Sequence, residues 1–392
     1  MREVVVAAAV RTPIGRFGGG FVPLTAVDLG VLAAEECLKR SGIDPTNVDE
    51  AIFGHGRQGG NGTNTGRQVA YRSGVPQERP AMTVNMACAS SLKAIQLAAQ
   101  SIRAGESDVV LAGGMESMSN TPYFLMKARW GYRLGDAEVI DGQYQDGFLC
   151  PLTKDMMGKT AETLAEQYDI GRDEQDAYAV ESQRRCEVAR AENRFEAETF
   201  PVEVPGRKGP TIVDKDEHPR AGATVEGMAK LKPVFKKDGT VHAGNASGIT
   251  DGGAAILVLA ADAAERLNVT PMARITGWAS AGVDPHVMGI GPVPAIRTLF
   301  EKTGLSFGDI DLIELNEAFA AQVIACHRDL EFDLERTNVN GGSIALGHPI
   351  GATGTRIVVT LLHEMARAGR QTGLASLCVS GGMGMAMTFE RA

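Results

Sequence analysis

The chain has 392 residues, which is long enough for two or three domains that each bury a core. Hydrophobic residues make up 44% and charged residues 22%, proportions that are typical of a folded globular protein. The formal charge of -9 argues against broad binding to a nucleic acid backbone. Any anionic ligand must therefore be met locally, by a few Lys or Arg side chains or by backbone N–H groups.

Targeting signals and cysteine spacing indicate the cellular compartment. The first ten residues, MREVVVAAAV, fit a buried strand better than a signal peptide, and no apolar run reaches the roughly 18 residues of a membrane span. The C-terminal residues carry neither a peroxisomal nor a prenylation signal. The six cysteines form no CxxC pair and no disulfide-scaffold spacing. We therefore expect reduced thiols and a cytoplasmic location.

Short apolar runs alternate with amphipathic stretches in the first third of the chain. The runs predict strands at VVVAAAV, EAIFG, AMTVNM and DVVLAGG, which we expect to be buried on both faces. The stretches between them predict helices, two of which stop at Gly42 and Gly105. This alternation is the signature of an α/β fold built from βα units.

The middle of the chain changes character. Between residues 120 and 247 the sequence is charged, irregular and rich in proline, and residues 171–195 predict an exposed helix crossed by ion pairs. The apolar α/β pattern resumes at DGGAAILVLA (251–260). We therefore expect three units, which are an N-terminal half (1–119 and 248–270), an inserted, largely helical and loop-rich domain (120–247) and a C-terminal half (271–392).

The last third of the chain repeats the first. VNMACASSLKAIQLAAQSIRAG followed by DVVLAGGMESM is echoed by VNGGSIALGHPIGATGTRIVVTLLHEMARAG followed by LASLCVSGGMGMAM. Each copy has Val-Asn, small residues, a helix that ends Ala-Gly, a hydrophobic strand and Gly-Gly-Met. The repeat predicts two pseudo-symmetric domains with a shared site between them, although chance similarity of two βαβ units is the alternative.

Cys88 follows a predicted strand and opens a predicted helix. A thiol at a helix N-terminus has its thiolate stabilised by unpaired N–H groups, which predicts a lowered pKa and a nucleophile. The small neighbours Ala87, Ala89, Ser90 and Ser91 leave room for a substrate. A packed core thiol is the alternative.

Three further polar residues are candidates for chemistry. His348 stands in the glycine-dense stretch NGGSIALGHPIGATGTR and is a candidate base for a thiol. Cys378 ends an apolar strand in the opposite repeat copy, and a thiol there can act as acid and base. Asn316 follows an apolar strand and either caps the turn or holds a water at an oxyanion.

Other motifs are weak. GHGRQG (54–59) matches GxGxxG, but no helix start or acidic partner supports a dinucleotide site, so we interpret it as a loop. HEMAR (363–367) lacks the second His of a zinc helix, and the chain has no P-loop and no GxSxG elbow. The sequence therefore predicts no metal site and no nucleotide hydrolysis.

The candidate residues together resemble the thiolase family. They lie in NMACASS (Cys88), NEAF (Asn316), GHPIGATG (His348) and CVSGGMG (Cys378), and the resemblance covers nearly the whole chain, including RTPIGRFGG, GGMESMS, GNASGITDGGAA and MGIGPVPA. It implies two βαβαβαββ halves in α-β-α-β-α layers with an inserted loop domain, assembled as a homotetramer of two tight dimers.

The nearest branch is that of the acetyl-CoA acetyltransferases, in fatty acid metabolism. The resemblance implies a ping-pong Claisen condensation of two acetyl-CoA to acetoacetyl-CoA and coenzyme A (CoA), or its reverse, with no cofactor and no metal. Cys88 would take the acyl group with His348 as its base, and Cys378 would exchange the α-proton of the second acetyl-CoA. One oxyanion hole would come from His348 and a water on Asn316, and the other from the backbone N–H groups of Cys88 and Ser380.

The resemblance also implies the coenzyme-binding residues. Arg220 and the Lys-rich stretch 229–237 would face the phosphates. Seven further positions, for which ordinary loop or core roles are the alternative, would bind the rest of the substrate, namely Met157, Phe235, Ala243, Ser247, Met288, Ala318 and Phe319. Two positions depart from the family pattern: Ser380 stands where Gly is usual, and Met156 stands where short-chain members carry His.

Met156 leaves a second enzyme open, a degradative 3-ketoacyl-CoA thiolase with a broader or longer acyl range. A decarboxylating β-ketoacyl synthase normally pairs one nucleophilic Cys with two His, which Cys378 does not fit. A non-catalytic acyl-CoA carrier on the same scaffold is disfavoured because all four catalytic positions are intact.

Overall fold

A computed structural model describes residues 2–392. Its strands are β1 Val4–Arg11, β2 Gly15–Arg16, β3 Glu50–His55, β4 Ala81–Val84, β5 Val109–Ser117, β6 Tyr123–Phe124, β7 Ile140–Asp141, β8 Val202–Val204, β9 Thr211–Val213, β10 Thr250–Ala260, β11 Ala273–Gly282, β12 Leu312–Leu315, β13 Thr372–Val379 and β14 Met383–Arg391. Its α-helices are α1 Ala26–Ser41, α2 Thr65–Arg72, α3 Ser90–Ala104, α4 Met157–Gln167, α5 Arg172–Ala191, α6 Val225–Ala229, α7 Ala261–Arg266, α8 Pro292–Thr303, α9 Ala320–Leu330, α10 Ser343–Leu346 and α11 Ile350–Arg367.

The predicted strands and helices of the first third are confirmed. VVVAAAV lies in β1, and both β5 and β10 are buried along their whole length, as expected for strands covered on two faces. Helix α1 begins with a capping box between Thr25 and Asp28 and ends at Gly42, where φ is 70°. Strand β4 departs from the expectation because it lies at the edge of the sheet and is partly exposed.

One ten-stranded sheet contains both halves of the repeat. Its order runs β12-β13-β14-β11 through the C-terminal half and β1-β10-β5-β3-β4 through the N-terminal half, and the short β2, the tenth strand, pairs with β10 beside this path. In the N-terminal half β10 is antiparallel to both β1 and β5, and β5 is parallel to β3. In the C-terminal half β14 is antiparallel to both β11 and β13, and β13 is parallel to β12. The sequence repeat is therefore a repeat of topology, and the halves join where β1 pairs with β11.

Helices complete the layers around the sheet. Helix α1 packs on β5 and β10, and α8 packs on β11 and β14. The repeat-related helices α3 and α11 pack against each other, and α11 also contacts strands of both halves. The backbone N–H of Thr355 in α11 donates to Ser91 Oγ in α3 at 2.9 Å. These two helices bring the segments before them, one with Cys88 and the other with His348, to the same region.

The segment 120–247 adds no strand to the large sheet, because β6 pairs with β7 and β8 with β9 among the strands described. Helix α5 is exposed on one face, where Glu181 binds Arg184 and Arg185. Its other face is buried, and Ser182 Oγ donates to Glu317 at 2.7 Å. The predicted exposed helix is therefore exposed on one side only, because the opposite side packs on the NEAF segment. The three-unit division of the chain stays a prediction.

No helix within residues 2–392 combines the length and apolar character needed to cross a lipid bilayer.

Candidate active site

A cavity of about 780 Å³ lies where the two halves and the segment 120–247 meet. Cys88, His348 and Ser380 line it, so three predicted site positions from both repeat copies share one space. Met156 also lies in its wall. The predicted substrate-binding residues all line the same cavity, namely Met157, Arg220, Phe235, Ala243, Ser247, Met288, Ala318 and Phe319.

Cys88 lies in a short 3₁₀ turn, Ala87–Ala89, between β4 and α3. Ala87 has a φ of 45°, a left-handed conformation that is unfavourable for a residue with a Cβ. Side chains on both sides hold this turn: the Ala87 N–H donates to Asn85 Oδ1 at 3.0 Å, and Ser90 Oγ donates to the Ala87 carbonyl at 2.6 Å. These hydrogen bonds hold the strained turn and so fix the position of Cys88.

The predicted low pKa of Cys88 is wrong for the unliganded protein. Burial raises the pKa of its thiol above the ordinary value. The N–H of Ser380, the charge of Arg57 and the N–H of Cys88 itself oppose this effect but do not outweigh it. The helix end alone does not make a thiolate here, because Cys88 is only 8% exposed to water.

Ser380 stands where the family pattern has Gly, but its backbone is not in a conformation that would strain a serine. It is not among the residues with a left-handed backbone, whereas the next residue, Gly381, has a φ of 89°. Its N–H reaches the Cys88 thiol. The backbone donor that the family pattern places here is therefore present with a serine at this position.

His348 is a neutral imidazole with one unpartnered nitrogen. Its Nδ1 lies 2.7 Å from Thr353 Oγ1, and that hydroxyl donates to the Pro349 carbonyl at 2.9 Å. Since the Thr353 proton is already used, Nδ1 must donate to it, which leaves the lone pair on Nε2. Nε2 is buried and has no hydrogen-bond partner among residues 2–392. Burial, followed by the charges of Arg356 and Arg57, lowers the pKa of His348 to about 3.

Asn316 is buried and is not among the residues that line the cavity. Its Oδ1 accepts from Ser343 Oγ at 2.6 Å, and Ser343 Oγ in turn accepts from Arg356 Nη2 at 2.8 Å. The other end of the amide, Nδ2, has no partner among the described residues. An amide held by its oxygen presents Nδ2 as a fixed donor, and such a donor suits a water or a carbonyl oxygen.

Cys378 ends β13 and is fully buried. It is not part of the cavity wall itself, but it packs in one cluster with Met288, Ala318 and Phe319, which do line the cavity. Burial, and then the charge of Cys88, raises the pKa of Cys378 well above its ordinary value. The second thiol is therefore protonated at neutral pH rather than poised near it.

Two further polar residues escaped the sequence analysis. Arg57 of GHGRQG lines the cavity, although we interpreted that stretch as a plain loop. Glu116 is buried and accepts N–H groups from Gly56 at 3.2 Å, Arg57 at 3.1 Å and Gly351 at 2.9 Å. Glu116 therefore ties the Arg57 loop to the start of α11. An arginine directly after a buried strand, among glycines, was the one signal available.

The Lys-rich stretch 229–237 is placed differently from the expectation. Phe235 and its neighbour Val234 line the cavity, whereas Lys230, Lys232 and Lys236 are exposed outside its wall. Lys236 forms an ion pair with Glu166 instead. Arg220 is exposed and lines the cavity, so it is the residue of this predicted set that offers a charge there.

Comparisons with known proteins find thiolases that match this chain over nearly its whole length. The family model described as "Thiolase, N-terminal domain" matches residues 4–262, and "Thiolase, C-terminal domain" matches residues 269–391. The acetyl-CoA acetyltransferase of Pseudomonas aeruginosa is 50% identical over 392 residues, with 100% of both chains covered.

Two solved structures are also similar. That of the Bacillus anthracis acetyl-CoA acetyltransferase has a TM-score of 0.98 at 46% identity and covers 100% of this chain and 99% of its own. That of human mitochondrial 3-ketoacyl-CoA thiolase in complex with CoA has a TM-score of 0.96 at 43% identity and covers 100% of this chain and 98% of its own. On the matching models, the full-length relatives and the shared fold, this chain belongs to the thiolase family.

Proposed function

We propose that the protein is an acetyl-CoA C-acetyltransferase, which interconverts two acetyl-CoA with acetoacetyl-CoA and CoA through an acyl-cysteine. One observation carries the proposal: a thiol (Cys88) and a neutral imidazole with a free Nε2 (His348) share a cavity, and a second buried thiol (Cys378) packs behind its wall. Full-length relatives with the acetyl-CoA acetyltransferase name support the same activity.

In the first half-reaction Cys88 takes the acetyl group. Its sulfur bonds to the thioester carbonyl carbon, and its proton passes to Nε2 of His348, the nitrogen that has no other partner. The bond between the carbonyl carbon and the CoA sulfur then breaks, and the proton leaves with CoA as a thiol. The products are acetyl-Cys88 and free CoA, so the step needs no resident cofactor.

In the second half-reaction the Cys378 thiol gives its proton to Nε2 of His348, and the resulting thiolate removes a proton from C2 of the incoming acetyl-CoA. That carbon bonds to the acetyl carbon on Cys88, the bond from the acetyl carbon to the Cys88 sulfur breaks, and the sulfur takes the proton from Nε2, which gives acetoacetyl-CoA and restores both thiols. Because burial keeps Cys378 protonated at rest, the resting enzyme is ready for the reverse direction. There Cys378 donates its proton to the carbanion that carbon–carbon cleavage leaves on acetyl-CoA.

Two sets of donors serve the oxyanions of these steps. Nε2 of His348, once it holds a proton, and a water on Nδ2 of Asn316 form one set. The backbone N–H groups of Cys88 and Ser380, both of which reach the Cys88 sulfur, form the other.

The remaining cavity residues bind the CoA portion. Arg220 provides the charge for the phosphates, and apolar side chains flank the pantetheine arm. Phe235 and Phe319 meet edge to face there, with ring centroids 6.3 Å apart.

The test is the Cys88→Ala variant. We expect it to lose thiolysis of acetoacetyl-CoA by at least about 10³-fold and to form no acetyl adduct by mass spectrometry, because no other thiol lines the cavity. Cys37→Ala is the matched control, since Cys37 is a buried thiol that packs against β1. Turnover in Cys88→Ala at the level of this control would end the proposal.

The alternative is a degradative 3-ketoacyl-CoA thiolase with a broader or longer acyl range. Met156, at the start of α4, lines the cavity beside Met157 and supports this candidate. Values of kcat/KM for 3-ketoacyl-CoA substrates from four to twelve carbons separate the two. A maximum at four carbons favours the acetyltransferase, and a maximum at longer chains favours the alternative.

We also propose a homotetramer built from two dimers, a cytoplasmic location and a role in fatty acid metabolism. The assembly is supported by β4, a short exposed edge strand that a second copy can extend, and by apolar side chains at Trp130 and Leu134 that are 86% and 98% exposed. Light scattering on the purified protein tests it, and a monomeric mass at micromolar concentration contradicts it.

A further inference from the structure

Arg57 is a buried cation without a partner. Its side chain is in the wall of the cavity that holds Cys88, and the residue is only 3% exposed. Nε and Nη2 have no hydrogen-bond partner among residues 2–392. Other buried arginines of the chain are paired: Arg11 binds Glu198 at 2.6 Å and Asp216 at 2.7 Å, and Arg356 binds Ser343 at 2.8 Å.

The groups around Arg57 do not neutralise it. The guanidinium packs over the Phe148 ring at 4.8 Å and against Gly147, where any Cβ would collide with it, and both residues line the same cavity. The buried carboxylate of Glu116 acts on Arg57 through its charge but forms no ion pair with it among the residues described. The Glu116 oxygens accept backbone N–H groups, and Oε1 also lies 3.3 Å from His55 Nε2. Asp146 lies in the cavity wall without forming an ion pair to Arg57 among the residues described.

Arg57 is also tied to the nucleophile's turn. Asn85 Nδ2 donates to the carbonyl of Gly56 at 2.8 Å, while Asn85 Oδ1 accepts the N–H of Ala87 at 3.0 Å. One side chain therefore bridges the residue before Arg57 and the residue before Cys88. The charge of Arg57 acts on both Cys88 and His348. The guanidinium belongs to the acyl end of the cavity, near the reacting sulfur.

A buried charge without a partner is unfavourable, and a bound ligand of opposite charge removes that penalty. The phosphates of a CoA thioester do not meet this need, because the whole pantetheine arm separates them from the carbonyl on Cys88. Acetyl and other neutral acyl groups carry no negative charge, so they leave the Arg57 guanidinium without an ion-pair partner. An acyl group with a carboxylate at its far end brings the missing charge to the right end of the cavity.

We propose that this thiolase accepts acyl groups that end in a carboxylate, and that Arg57 binds that carboxylate. The proposal rests on the proposed thiolase chemistry at Cys88. In thiolysis the Cys88 thiol gives its proton to Nε2 of His348 as its sulfur bonds to C3 of an ω-carboxy-3-ketoacyl-CoA, and the C2–C3 bond breaks. Its electron pair leaves on acetyl-CoA, which Cys378 protonates, and the proton on Nε2 then restores the Cys378 thiol. The ω-carboxyacyl group then passes from Cys88 to the sulfur of a second CoA, whose proton returns to the Cys88 thiol.

The experiment compares substrates that differ only at the far end. The kcat/KM for thiolysis is measured with 3-oxohexanedioyl-CoA and 3-oxohexanoyl-CoA, and with the seven-carbon pair, in the wild type, Arg57→Met and Arg57→Lys. We expect the wild type to prefer the carboxylate by about 10- to 100-fold, as one charge-assisted contact allows. Arg57→Met should lower the ratio to one or below, and Arg57→Lys should keep part of it.

A second readout does not depend on turnover. Mass spectrometry after mixing with succinyl-CoA or butyryl-CoA measures the acyl adduct on Cys88, and we expect the succinyl adduct to dominate in the wild type. A wild-type ratio of one or below in both assays overturns the proposal, even if the variants do not fold. An equal fall for both substrates in Arg57→Met overturns it too, because Arg57 would then act only on the charge of Cys88. Failure of the proposed function is distinct, since it would abolish acetoacetyl-CoA thiolysis as well.

Discussion

At the scale of single residues, Cys88 and His348 line one cavity and are both neutral in the resting protein. Burial raises the pKa of the thiol and lowers that of the imidazole to about 3, so a separated thiolate and imidazolium are disfavoured on both sides. The proton therefore moves as the sulfur attacks, when a developing oxyanion near the donor groups compensates for the new charge. On the proposed function, the two groups therefore become charged only when a thioester is bound.

This protonation state predicts the alkylation behaviour of the cysteines. Iodoacetamide should label Cys88 before the other five, which do not line the cavity, and acetyl-CoA should protect it. The rate should still rise above pH 9, the ordinary thiol value, because burial raises the pKa of Cys88. In Arg57→Met the rise in labelling rate should occur at a higher pH, because the positive charge that stabilises the Cys88 thiolate is lost.

Peptide mapping after timed labelling measures these rates. Equal labelling of all six cysteines, or a plateau below pH 8, contradicts this view of the site.

At the scale of elements, the site depends on how closely α3 and α11 approach. A Cβ at Gly354 of α11 would collide with the backbone nitrogen of Leu92 in α3, so only glycine permits this contact. The carboxylate of Glu317 forms a second connection, this one between α5 and α10. It accepts hydrogen bonds from Ser182 Oγ at 2.7 Å and from the N–H of Ile344 at 3.1 Å. These contacts set the distance between the turn with Cys88 and the loop with His348.

Gly354→Ala should therefore destabilise the protein by about 1–3 kcal/mol, because the collision is with backbone that cannot swing away. It should also lower kcat, since the helices that carry both reactive segments are pushed apart. Gly308→Ala is the control: Gly308 is exposed, and its Cβ would meet only Ser306 Oγ at 3.5 Å. Urea unfolding and acetoacetyl-CoA thiolysis measure both effects, and equal stability of the two variants contradicts the prediction.

At the scale of the whole molecule, two copies of one topology share a sheet through β1 and β11 and enclose the cavity with the segment 120–247. The enclosure is what removes water from the reactive groups. It also couples their titration to folding, because a buried neutral imidazole resists protonation only while the fold is intact.

His348 should therefore contribute to acid sensitivity. The pKa of His348 is about 3 in the folded protein and about 6.5 in the unfolded chain. Between these two pH values the unfolded chain therefore binds more protons than the folded protein. Above pH 6.5 His348 leaves the free energy of unfolding unaffected by pH. Below that value it lowers the free energy of unfolding by up to about 1.4 kcal/mol per pH unit until the pH approaches 3. In His348→Gln the slope of unfolding free energy against pH should be shallower in this window. Identical slopes from urea titrations between pH 4 and 6.5 contradict the assignment.

Much of the fold was predictable from local patterns. Apolar runs marked strands such as β1, and glycines at 42 and 105 marked helix ends, because burial of alternating elements and left-handed caps are local demands. The exposed side of α5 was predictable from its charges, but its buried side was not. The partner of that side, Glu317, is more than a hundred residues away in sequence.

The sequence by itself determined the family and the repeat and singled out the candidate catalytic residues, because each is carried by short motifs with characteristic neighbours. Only the tertiary structure decided that Cys88 and Cys378 keep their protons, that His348 has lost its tendency to take one, and that Arg57 lies beside them unpaired. The physical reason is that pKa values and partners depend on how much water and which charges surround a group, and distant segments supply that environment only when the chain is folded.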